Sequence, residues 1–126
     1  MLNKFIFFLF GISLVSCSSN LDCSEFKTGN FEYPTNSGLD LKIERAENQQ
    51  IETSKKKSTK DIYEIIWTSN CAYQLVLIES NQPANFMKIQ KDTMNVSIVG
   101  VEQNKYRFKA TLNNKLYEGE LIKSKS

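Results

Sequence analysis

The chain has no histidine. That removes the usual imidazole base, and with it the Ser-His-Asp triad and the Cys-His pair of nucleophilic enzymes. It has no Cys-x-x-Cys spacing either, so a structural zinc site is a poor fit, and neither a metal nor a cofactor is expected. Charge of one sign is not in excess: 16 basic side chains face 14 acidic ones over 126 residues. Phosphate binding calls for a clustered positive field, so nucleic acid is not an expected partner. No apolar run approaches the roughly 20 residues that a membrane-spanning helix needs, and no segment shows a convincing helical stripe.

What is present begins with a leader. A short polar start, Asn3 and Lys4, precedes an apolar run over residues 5–15, interrupted only by Gly11 and Ser13. It ends in Leu14-Val15-Ser16-Cys17, which resembles the lipobox cleaved by lipoprotein signal peptidase: a branched apolar residue, a small residue, then cysteine. The expectation is a signal peptide over 1–16 and a palmitate-type lipid anchor on Cys17, whose acyl chains hold the protein to a membrane at ~0.8 kcal/mol per buried methylene. Residues 17–27 then form a lipidated tether and 28–126 one small domain. Loss of Lys4 with the leader leaves 15 basic and 14 acidic side chains. The cluster Lys55-Lys56-Lys57 with Lys60 reads as a solvated hairpin loop, with contact to anionic lipid or polysaccharide as the alternative.

Cys23 and Cys71 remain after the anchor is set aside. An even count in an oxidising compartment favours a disulfide; two unpaired buried thiols or a metal pair are the rivals.

Beyond Thr28 the apolar residues recur with a period of two, punctuated by Asn, Ser, Gly and Lys, the pattern of half-buried strands. Candidate strands cover 29–33, 39–46, 50–54, 62–68, 72–79, 94–103, 106–112 and 116–123. Tyr63, Ile65 and Trp67 share one parity, as do Cys71, Tyr73, Leu75 and Leu77, so each set lies on one sheet face. Thr68-Ser69-Asn70 and Asn113-Asn114 read as tight turns. Residues 81–91 alone suit a short helix, with Pro83 near its start. The fold class that follows is all-β: an antiparallel meander of seven or eight strands curled into a small barrel or half-barrel. A barrel of that size either fills its interior or holds one small ligand. If it holds one, Tyr63, Trp67 and Tyr73 are the candidate lining.

Two resemblances bear on this reading. The stretches Cys23-Ser24-Glu25-Phe26-Lys27-Thr28-Gly29-Asn30-Phe31 and Trp67-Thr68-Ser69-Asn70-Cys71-Ala72-Tyr73-Gln74-Leu75 resemble a group of short, uncharacterised lipoproteins of Bacteroidota-type bacteria, and the similarity continues through 96–123. Such relatives sometimes bear a topoisomerase IV label, which a small exported chain does not support. Gly29-Asn30-Phe31 is also similar to the Gly-x-Trp of lipocalins, with Phe31 in place of the tryptophan.

Glu44, Glu64, Glu118 and Glu120 stand at the polar positions of alternating segments, where outward solvation is the default, so an enzyme is not expected. Asp92-Thr93-Met94 is similar to an O-glycosylation acceptor of exported proteins in such bacteria, and Thr93 is its candidate residue; a plain turn before a strand is the alternative. The functional expectation is a non-enzymatic cell-envelope binding or scaffold module, with a carrier or sensor of a small apolar ligand as the second reading. Its partners would be the membrane, through the anchor, and an envelope protein or that ligand. No acidic run follows Ser18, which favours the periplasm-facing side of the outer membrane; Asp22 and Glu25 leave surface display open.

Overall fold

A computed structural model describes residues 21–83 and 92–125. Cys17 lies outside them, as does most of the 81–91 helix expectation; the described part, 81–83, is a bend and turn.

Eight antiparallel strands in sequential order form a closed barrel. They are β1 (Gly29–Glu32), β2 (Lys42–Arg45), β3 (Gln49–Ser54), β4 (Thr59–Ser69), β5 (Ala72–Ser80), β6 (Thr93–Glu102), β7 (Lys105–Leu112) and β8 (Lys115–Lys123). The all-β meander expected from the period-two pattern is the fold observed. Side chains of one parity meet inside: Phe31, Ile43, Tyr63, Ile65, Tyr73, Leu75, Val96, Ile98, Tyr106, Ala110, Leu112 and Leu121 are all buried. Trp67, Leu77, Met94 and Phe108 pack against them, partly buried.

Local chemistry explains the connections. Asn113 (φ 54°) and Asn114 (φ 67°) form the two-residue turn between β7 and β8, and asparagine accepts this left-handed backbone at low cost. The lysine cluster 55–57 sits in the turn between β3 and β4, as expected. The Thr68-Ser69-Asn70 turn is displaced. Strand β4 runs through Ser69, and a register shift between Trp67 and Ser69 moves the turn to Asn70 and Cys71. The expected strand over 39–46 is shorter too, because the Asp40 carboxylate accepts bonds from Ser54 Oγ and the Lys56 N–H, both at 3.1 Å. That ties residues 39–41 to the β3–β4 turn instead of the ladder, and Leu39 is left exposed.

The described part of the expected tether is not a tether. Residues 24–26 form a 3₁₀ turn that carries Cys23 and Phe26, both fully buried, over one end of the barrel. The folded unit therefore starts before Thr28. Cys23 is bridged to Cys71, with their Cα atoms 5.4 Å apart, so the plug is stapled to the β4–β5 turn. Phe26 packs edge-on against Tyr106, centroids 5.1 Å apart, and burying such a ring is worth roughly 1.5–3 kcal/mol.

Cys23→Ser with Cys71→Ser should cost ~4 kcal/mol on the loop-entropy account, visible as an earlier denaturant midpoint. Wild-type protein that alkylates twice without reductant would show that the bridge does not form.

Candidate functional site

The lumen has an aromatic half and a polar half, and a single arginine organises the first. Arg45 ends β2 on the parity of Ile43 and is buried. Its Nε donates to Gln50 Oε1 (2.8 Å) and its Nη1 to the Phe26 carbonyl (2.8 Å). Its Nη2 donates to the hydroxyls of Tyr106 (3.0 Å) and Tyr73 (3.3 Å), which are themselves 2.9 Å apart. The guanidinium carbon stands 4.4 Å from the Phe31 ring centre and 4.8 Å from that of Tyr73. Among the described residues no carboxylate comes within ion-pair distance of it.

A lone buried cation is costly, by several kcal/mol even after relaxation. Here bonds from a charged donor, each worth roughly 1.5–3 kcal/mol, and the faces of two rings offset that cost. Burial works against the charge, but Tyr73 and Tyr106 outweigh it and keep the guanidinium protonated. Burial also raises the Tyr73 phenol well above its usual range, so its hydroxyl stays neutral.

Gln50 connects this half to the other: its Nε2 donates to Glu52 Oε2 at 2.9 Å. Glu52 lies directly across from Asp61 on β4. Asp61 is buried and accepts bonds from Ser80 Oγ and from Gln82 Nε2, the latter at 2.8 Å. Burial, with Asp61 adding to it, lifts the Glu52 carboxyl to about 6, against the opposing pull of Gln50 and Arg45.

Of the three proposed lining residues, Trp67 and Tyr73 form a cross-strand pair with ring centroids 4.7 Å apart. Tyr63 is buried four residues before Trp67 in β4, opposite Leu77 and Gln50, about 13 Å away at a rise of ~3.3 Å per residue. The three do not converge on one space. Tyr73 is engaged by Arg45 and Tyr106. Trp67 instead lines an open groove of about 760 Å³ on the plugged end, with Lys27, Glu47, Asn48 and Glu64. The Lys27 ammonium sits 4.0 Å over its ring, and its buried Nε1 has no hydrogen-bond partner among the described residues. Thr93 opens β6, half-buried, its N–H bonded to Asp92 Oδ1 at 2.8 Å.

Arg45, Gln50, Glu52 and Asp61 are not among the lining residues read from sequence. Their parity was available, since Arg45 follows Ile43 by two and Asp61 precedes Tyr63 by two; their polarity argued for the outside. Glu44, Glu64 and Glu118 are exposed as expected. Comparisons with protein-family models, curated proteins and solved structures find no match. The class defined here is thus structural: a plugged eight-stranded barrel with a charged, hydrogen-bonded lumen.

Arg45→Ala should cost at least ~3 kcal/mol, because the acceptors around it lose their donors inside the barrel. Arg45→Lys should recover less than half of that, since an ammonium cannot reproduce the planar fork; chemical denaturation measures both. A raised carboxyl pKa means that the folded chain holds the proton more tightly than the unfolded chain. Stability from Glu52 is therefore present below the ordinary 4.5 and lost as pH rises to about 6. Glu52→Gln should match wild type at pH 4 and exceed it at pH 7.5 by on the order of 1–2 kcal/mol; equal melting curves at both pH values would show that Glu52 ionises freely.

Proposed function

We propose that this chain is a non-enzymatic lipoprotein of the cell envelope, anchored through Cys17 to the outer membrane on its periplasm-facing side, and that it works as a binding or scaffold module through its outer surface. The observation that carries the reading is the occupancy of the aromatic half of the lumen. Where a carrier would place its ligand, beneath Tyr73, Arg45 fills the space and takes up the hydroxyls of Tyr73 and Tyr106. Recognition then falls to the exterior, where Ile78 and Leu116 are more than half exposed, at 62% and 57%. The absence of histidine and the use of both inner carboxylates in hydrogen bonds fit a module without chemistry of its own.

A second reading keeps a small ligand but moves it out of the lumen to the groove at Trp67. Its support is the buried Nε1 without a partner, since an unmet buried donor costs about 1–3 kcal/mol.

Mass spectrometry of the protein purified from its own host tests both. The module reading expects a lipidated chain starting at Cys17 and no further ligand under native conditions. A reproducible small-molecule adduct lost in Trp67→Ala would replace it with the carrier. An unmodified Thr93 in the same spectrum would remove glycosylation as a role for Asp92-Thr93-Met94.

A further inference from the structure

Strand β8 is nine residues long and β1 four, and the barrel closes between them through only two residue pairs, Phe31 with Lys123 and Glu32 with Ile122. The direction of the β8 amides is set at its end: the Ser124 N–H donates to the Asn30 carbonyl across the seam (2.8 Å), and the Lys123 N–H to Asn104 on the opposite side (2.7 Å). Backbone groups alternate along a strand, so the even-numbered residues of β8 face the seam and the odd ones face β7. After Ile122 has met Glu32, the N–H and C=O groups of Leu116, Glu118 and Glu120 face no backbone partner among the described residues. Strand β1 does not extend to meet them. Pro34, which has no N–H, and the 3₁₀ turn Thr35–Ser37 carry the chain away.

We propose that this edge binds an extended, basic peptide segment of an envelope partner by strand addition, a reading that rests on the module function proposed above. The free groups span about 13 Å, five residues at a rise of ~3.3 Å, and alternating donors and acceptors at that spacing are met by another extended backbone. Charge selects the sequence. On the β7 side, Glu118 stands opposite Lys109 and Glu120 opposite Arg107, so this face already pairs carboxylate with cation across the ladder. A strand on the seam side with Lys or Arg at alternate positions repeats the arrangement, while Leu116 gives it an exposed apolar contact. A second copy of β8 fits poorly. Antiparallel self-pairing centred on Glu118 sets that residue against itself, and centring on Gly119 sets Glu118 against Glu120; like charges directly opposite destabilise a ladder.

The test uses the full-length protein from its host in detergent, isotope-labelled, titrated with a blocked peptide of five Thr-Lys repeats and with its Thr-Glu counterpart. Saturable shifts centred on the amides of Leu116, Glu118 and Glu120, at least tenfold slower exchange at those amides, and no response to the Thr-Glu peptide support the proposal. Glu118→Lys with Glu120→Lys should weaken binding at least tenfold. So should Glu118→Pro, which removes one seam-facing N–H and leaves the odd-numbered bonds to β7; if the proline variant does not fold, the charge reversal decides. Absence of saturable binding, shifts centred elsewhere, undiminished binding by the charge-reversed protein, or slowed exchange at these amides that depends on protein concentration alone would each overturn it. Failure of the module reading itself has a different signature, a small molecule retained in the native mass spectrum.

Discussion

The barrel is built around a buried positive charge that, among the described residues, has no carboxylate within ion-pair distance. Arg45 links the N-terminal turn, β2, β3, β5 and β7 through hydrogen bonds and lies against the β1 ring of Phe31. The guanidinium is planar and its donors point in fixed directions, so satisfying it sets where those segments stand relative to one another. An apolar side chain of similar size would fill the volume without specifying those positions. The Gln50 amide then spreads the interaction: its oxygen meets the cation and its nitrogen meets Glu52, which gives both groups a partner without a direct ion pair.

From that centre the two ends of the barrel differ for physical reasons. At one end, Phe26 contributes its ring to the core and its carbonyl to Arg45, and the Cys23–Cys71 bridge holds the same turn against β5. Towards the other end, the inward residues are acidic or hydroxylic, and burial, with Asp61 adding to it, raises the Glu52 carboxyl to about 6. The side wall has its own weak line, because β1 is too short to cover β8. Exposed backbone edges are usually blunted by charge, and Glu118 and Glu120 keep this one from accepting its own copy while leaving it open to a basic strand.

Legibility followed the strength of the local signal. The eight strands and the Asn113-Asn114 turn were readable because alternation and left-handed turn residues act over a few positions. Strand 39–46 was over-read because Asp40 spends its carboxylate on a turn fourteen to sixteen residues away, which alternation cannot register. The disulfide was readable from the even count of remaining cysteines and the expectation of export, whereas the fact that Phe26 belongs to the core was not, since a single aromatic in a polar stretch has no period. Tyr63, Trp67 and Tyr73 were correctly placed on inward parity but not brought together: parity fixes a face, not a depth along it.

Taken alone, the sequence determined the class of fold, the strand order and the identity of the cysteines left to pair, because each depends on composition or on neighbours within a few residues. Which polar side chains face inward, that Arg45 rather than a ligand occupies the aromatic half, and that β8 outruns β1 were decided only in the tertiary structure. Each of these depends on residues far apart in the chain meeting in a shared space, where the free energy of burying a polar group is set by the partners that assembly brings to it.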